Sequence, residues 1–158
     1  MEQGIVYLKR KRLVELENQL RELKTADRRD IADKIAEARS HGDLSENAEY
    51  DAAKEAQSHL EMKIGKLENL LSRVKIVEDE DIPDDTAYVL TEVKVFDLKR
   101  KEELSYHLVS PDEADFEQDK ISIVSPLGKA LLGKKVGEVA SFTAPAGTIE
   151  YKILEIKK

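Results

Sequence analysis

Apolar residues recur with helical spacing over the first half of the chain and with a period of two over the second. Leu13, Leu16, Leu20 and Leu23 step by three, four and three, which puts them on one helix face. Ile31, Ile35 and Ala38 resume that stripe after Thr25-Ala26-Asp27 interrupts it. Leu60, Ile64, Leu67, Leu71 and Val74 alternate steps of four and three, with charges at the remaining positions, the pattern of a coiled-coil seam. Helical spacing thus extends from about Leu8 to Val77, and no proline precedes Pro83 to break it. Between the two runs lies Ser40-His41-Gly42-Asp43-Leu44-Ser45-Glu46-Asn47. Gly42 suits a helix stop and Asp43 suits the N-cap of the next helix. A short connection between two long helices predicts an antiparallel hairpin. Arms of about 30 residues make it roughly 45 Å long.

The acidic run Glu78-Asp79-Glu80-Asp81, followed by Ile82-Pro83-Asp84-Asp85, ends the helical pattern. Beyond it Tyr88 to Phe96 reads as a strand. Leu104, Tyr106 and Leu108 alternate with polar neighbours, as do Ile149, Tyr151 and Ile153. Pro145-Ala146-Gly147 suits a hairpin turn. Ser125-Pro126 opens a short helix, with Ser as N-cap and Pro in the first helical position, and Gly133 ends it. The fold class is therefore α+β. An N-terminal antiparallel helical coiled-coil hairpin over 1–78, with its tip around 42–47, precedes a small, mostly antiparallel β domain with one short helix over 79–158.

Charge and composition narrow the function classes. Of 158 residues, 37% are charged and 41% apolar, enough apolar material for a core. A net charge of −7 argues against a general nucleic-acid binder and leaves room only for a local basic patch. With no cysteine there is no disulfide framework and no thiolate chemistry. The N-terminus lacks a signal-peptide pattern, and no stretch approaches the ~20 apolar residues of a membrane span. The expectation is a soluble cytoplasmic protein.

Candidate chemistry concentrates at the tip. Asp43 and Glu46 are three residues apart, so their carboxylates can face the same way. Such a pair could hold Mg²⁺, which takes one or two carboxylates and completes its shell with water and phosphate. The same spacing is that of a capping box, and by spacing alone the cap is the simpler reading. Arg28, Arg29, Lys34, Arg39 and Lys54 flank the tip, interleaved with acids, so a solvated face competes with an RNA-contacting one. His41, His59 and His107 show no zinc spacing, and no phosphate-binding or nucleophile motif occurs. Few aromatics and no Trp argue against an aromatic-lined apolar pocket.

The tip segment Ala38-Arg39-Ser40-His41-Gly42-Asp43-Leu44-Ser45-Glu46-Asn47-Ala48-Glu49-Tyr50 closely resembles the signature of the Gre family of bacterial transcript cleavage factors, roughly A-R-x-x-G-D-x-x-E-N-A-E-Y. Ser125-Pro126-Leu127-Gly128-Lys129-Ala130-Leu131-Leu132-Gly133-Lys134 resembles that family's C-terminal segment, and Asp112-Glu113-Ala114-Asp115 resembles a turn of the family. The resemblance implies that the second domain is similar to FK506-binding proteins. It implies docking on bacterial RNA polymerase and entry of the coiled coil into the secondary channel. There the factor stimulates Mg²⁺-dependent hydrolysis of the 3′ end of backtracked nascent RNA, as a cofactor completing the polymerase's site. By resemblance, Asp43 and Glu46 share the second Mg²⁺ with the polymerase, and the free protein binds none tightly. Arg39 and Lys54 contact extruded RNA, while Gly42, Asn47 and Tyr50 shape the tip. Ser125, Pro126 and Leu127 dock on polymerase. The modest basic patch resembles the GreA type more than the GreB type. A monomer is expected, since one hairpin satisfies its own seam. The rivals are a channel-blocking relative without cleavage, a prolyl isomerase and a coiled-coil adaptor.

Overall fold

A computed structural model describes residues 4–42 and 47–158. The chain divides into two compact units, Lys11–Arg73 and the pairing of Met1–Arg10 with Val74–Lys158.

The first unit is a helical hairpin. Helical backbone runs unbroken from α1 (Arg10–Glu22) through a π-helical turn (Leu23–Asp27) into α2 (Arg28–Ser40). The interruption read at Thr25-Ala26-Asp27 is this π turn. Each residue of the wider turn advances less than the ~100° of an α-helix, so Ile31 returns to the face of Leu23 although the step between them is long. Thr25 Oγ1 donates to the Arg21 carbonyl at 2.7 Å, which helps open the local ladder. The return arm, α3, spans Ala48–Leu71. Leu16, Leu23, Ile35 and Ala38 on the first arm and Ala53, Leu60, Ile64 and Leu67 on the second are buried. The ion pairs Lys24–Glu68 (3.6 Å) and Arg28–Glu61 (2.8 Å) run in opposite chain directions, as an antiparallel pair requires. Arg28 holds Glu61 with two guanidinium nitrogens. That hydrogen bonding, more than the charge alone, lowers the Glu61 pKa below the usual carboxylate range. A depressed carboxylate stabilises the fold above its ordinary pKa and loses that contribution as pH falls through the folded value. NMR titration is expected to find Glu61 titrating below its own value in Arg28→Ala.

The second unit corrects the hairpin's ends. Val6–Leu8 (β1) and Val74–Ile76 (β2) are parallel strands, with Val6 opposite Val74. Leu8 and Val74, both within the helical reading, belong to these strands. Three-residue strands are too short to show a period of their own, and Leu71 followed by Val74 extends the helical step by coincidence. Val6 and Leu8 are fully buried or nearly so, and Tyr7 N donates to the buried Ser110 hydroxyl at 2.9 Å.

The main sheet has five strands: β3 (Glu92–Asp97), β4 (Glu102–Val109), β5 (Lys120–Ser122), β6 (Val139–Ala144) and β7 (Gly147–Lys157), in spatial order β5-β4-β3-β7-β6. All neighbours are antiparallel except β4 and β5, which run parallel. The strand expected from Tyr88 starts only at Glu92. Thr91 accounts for the difference. Its Oγ1 accepts from Tyr88 N and donates to Tyr88 O, holding Tyr88–Thr91 as a turn with Leu90 at φ 72. Pro145-Ala146 makes the β6–β7 connection, with Ala144 paired to Gly147. Helix α4 (Pro126–Leu131) is capped by Ser125, whose Oγ accepts from Gly128 N at 3.1 Å.

The alternating strand residues supply most of the core of this unit: Val93, Val95, Leu108 and Ile153 are wholly buried, as is Leu131 of α4. Ile153 lies on β7, opposite Val95 of the central strand. Ile153→Ala removes its branched methyls without room for collapse, an expected loss of about 2–5 kcal/mol, measured by denaturant unfolding.

Candidate functional site

The described residues on both sides of the tip form a closed bracket. At the end of α2, His41 takes a near-bridge conformation and its N–H donates to Ala38 O at 3.2 Å. Gly42 follows at φ 111, a left-handed position that favours glycine. Across the gap, Asn47 caps α3. Its Oδ1 accepts from Tyr50 N at 3.0 Å and its Nδ2 donates to Ala38 O at 2.6 Å. The sequence placed this cap at Asp43, whereas α3 begins only at Ala48 and takes its cap from Asn47. Asp43 and Glu46 themselves lie outside the described residues. Among the described residues, no group of three His, Cys, Asp or Glu side chains is arranged to hold a metal.

Two side-chain contacts cross the same gap. The Arg39 guanidinium lies over the Tyr50 ring, 5.9 Å from its centroid, within cation–π range. His41 Nε2 is 3.8 Å from a Glu49 carboxylate oxygen. Sequence reasoning singled out Arg39, Asn47 and Tyr50 but not Glu49, for which the only signal was its place in the first turn of α3. Lys54 stands exposed one turn further on, its Nζ donating to Gln57 at 2.9 Å. Arg28, grouped with the flanking basic residues, is committed to Glu61. The structure thus brings Arg39, Asn47 and Tyr50 together and leaves Lys54 apart from that cluster.

In the sheet-bearing unit, Ser125, Pro126 and Leu127 lie along an open apolar groove of about 570 Å³. Tyr106, Phe142, Ile149 and Tyr151 are among its other lining residues. This corrects the expectation that an aromatic-lined apolar pocket is absent. Composition counts aromatic residues but does not locate them, and here strand alternation on β4, β6 and β7 gathers them on one face. The Tyr151 ring sits 6.0 Å from Tyr106 and 5.7 Å from Phe142. The two tyrosine hydroxyls are 3.3 Å apart and buried. Burial first, and then the hydrogen bond to Tyr151, push the Tyr106 phenol well above its usual pKa, so it remains a neutral hydrogen-bonding group. Phe116 is 78% exposed at the rim. A 3₁₀ turn (Pro111–Glu113) overlaps the start of the Asp112–Asp115 segment, and Asp115 caps a second one (Phe116–Gln118).

Hairpin and sheet unit together define a two-part α+β protein with a glycine-turned tip at one unit's end and an apolar groove on the other. The family model described as the N-terminal part of transcription elongation factors matches residues 6–76, and that for the C-terminal part of GreA/GreB matches 82–158. The chain belongs to the GreA/GreB family of transcription elongation factors. It is 51% identical over 142 residues to transcription elongation factor GreA of Chloroherpeton thalassium, covering 90% of each chain. It is 50% identical over 146 residues to GreA of Thermoanaerobacter pseudethanolicus, covering 92% of this chain and 93% of that one. Among solved structures, GreA factor homolog 1 of Thermus thermophilus is 30% identical with a TM-score of 0.46, over 99% of this chain and 100% of that one. No helix among the described residues is long and apolar enough to cross a membrane.

Proposed function

We propose that this chain is a cytoplasmic, monomeric transcript cleavage factor. It inserts its hairpin into the secondary channel of bacterial RNA polymerase and stimulates hydrolysis of the 3′ end of backtracked nascent RNA. The observation that carries the reading is the sequence Gly42-Asp43-Leu44-Ser45-Glu46-Asn47, which joins the two arms, in a chain matched by both family models. The factor is a cofactor to the polymerase rather than an enzyme, since the polymerase supplies the remaining catalytic groups.

The donor set fits a Mg²⁺ ion shared with the polymerase. Two carboxylates from Asp43 and Glu46 are the protein ligands that Mg²⁺ ordinarily accepts, leaving the rest of an octahedral shell to water and phosphate. Two carboxylates alone hold such an ion weakly, so the free protein carries none tightly. When bound, the ion supplies charge stabilisation to the oxygens of an in-line phosphoryl displacement. Asp43 and Glu46 would also accept a hydrogen bond from the attacking water and orient it. Arg39 and Lys54 would contact phosphates of the extruded RNA, with Tyr50 fixing the plane of the Arg39 guanidinium. Ser125, Pro126 and Leu127 would dock on polymerase, where Pro126 is exposed and Leu127 half-buried.

The test is incubation with backtracked elongation complexes carrying labelled RNA, in Mg²⁺. Release of short 3′ fragments and resumed elongation support the reading. Binding without release, even at raised Mg²⁺, overturns it in favour of a channel-blocking factor.

A further inference from the structure

The cleavage reading requires two carboxylates to be held steady at the end of a long hairpin. Among the described residues, Asn47 hydrogen-bonds through its side chain to both sides of the tip. The cap sets its orientation: only the amide oxygen can accept from Tyr50 N–H, so the NH₂ is turned to the Ala38 carbonyl on the last turn of α2. The other crossing contacts are looser. The His41 and Glu49 side chains are 54% and 73% exposed, and an exposed pair at that distance contributes little. The Asn47–Ala38 bond is partly buried and short, at 2.6 Å.

We infer that Asn47 is a positioning residue for the proposed cleavage reaction, its amide NH₂ locking the end of α2 to the start of α3 and so setting the span that residues 43–46 must bridge. The inference rests on the cleavage reading and goes beyond it, because capping and clamping are separable functions of one side chain. Asn47→Asp keeps an acceptor for Tyr50 N–H and adds a charge that a helix N-terminus favours. It removes the donor and sets an anionic oxygen against the Ala38 carbonyl. Asn47→Ser also keeps a cap acceptor, is uncharged, and is too short to reach across.

The experiment compares full-length wild type, Asn47→Asp and Asn47→Ser with purified bacterial RNA polymerase in backtracked complexes. It reads the maximal cleavage rate, the factor concentration giving half that rate, the Mg²⁺ dependence, and amide hydrogen exchange of the free factors. Both variants are expected to show the wild-type half-saturating factor concentration, a maximal rate lower by about tenfold or more, and a higher Mg²⁺ requirement. Amides at residues 39–42 are expected to exchange faster, while the Tyr50 amide stays protected. Wild-type maximal rates in either variant, unchanged exchange at 39–42, or a loss confined to the half-saturating concentration overturns the assignment. A wild-type factor that cleaves nothing overturns this inference together with the cleavage reading beneath it.

Discussion

Replacing Asp43 and Glu46 together by alanine is expected to lower the maximal rate of RNA cleavage in backtracked complexes by at least about 100-fold. Polymerase binding should persist, so the double variant should compete with wild type for the channel. The expectation follows from removing both carboxylates proposed to hold the shared Mg²⁺, with no other group of three acidic or histidine side chains among the described residues to replace them. The thermal transition should move little, because α3 draws its cap from Asn47 rather than from Asp43. That separation gives the experiment its force. A coiled-coil adaptor would lose at most a capping contribution of about 1 kcal/mol and no activity. Retained cleavage in the double variant would remove the tip from the mechanism. A prolyl isomerase would be indifferent to the change, and a peptide isomerisation assay tests that role directly.

The second large effect is structural. Gly128→Ala is expected to destabilise the sheet-bearing unit by about 3 kcal/mol or more, lowering its Tm by roughly 10 °C or more. A Cβ built there lies 1.9 Å from the Ser122 carbonyl oxygen, 2.8 Å from its carbon and 2.9 Å from the Ile123 Cα. All three are backbone atoms and cannot swing aside like a side-chain end. The Ser122 carbonyl also accepts from Ser125 N and Ser125 Oγ, so moving it disturbs the cap of α4 and the Ser125-Pro126-Leu127 segment with it. Gly65→Ala is the matched control. It lies within α3 with nothing within 4 Å of the new Cβ, and should stabilise the hairpin by about 0.5–1 kcal/mol. Calorimetry on the two variants tests both. A Gly128→Ala protein as stable as wild type would mean that the α4–β5 approach is looser than the geometry shows.

The elements that were legible beforehand share one property: their apolar period is long enough to recur. Leu60, Ile64 and Leu67 repeat through several turns, and all three are buried. Tyr106 and Leu108, or Tyr151 and Ile153, alternate over enough positions to declare a strand and its buried face. Gly42, Ser125-Pro126 and Pro145-Ala146 were readable because their backbone preferences are local. The misreadings have the opposite character. Val6–Leu8 and Val74–Ile76 carry no period of their own and become strands only by pairing with each other across the hairpin sequence between them. Asp43 follows the helix stop at Gly42 and has the local chemistry of a cap, so the sequence points to it. The choice fell to Asn47, whose amide also meets the Ala38 carbonyl, a contact with the other helix.

The same division holds for function. The sequence by itself determined the two-part α+β plan, the family, and the acidic tip motif, because helical period, strand alternation and short motifs are properties of neighbouring residues. Tertiary structure alone decided that a π turn keeps the first arm in phase, that Asn47 ties both arms, and that scattered aromatics on β4, β6 and β7 line one groove beside Ser125-Pro126-Leu127. Each of these depends on which distant residues the folded backbone brings into contact, and that information has no period along the chain.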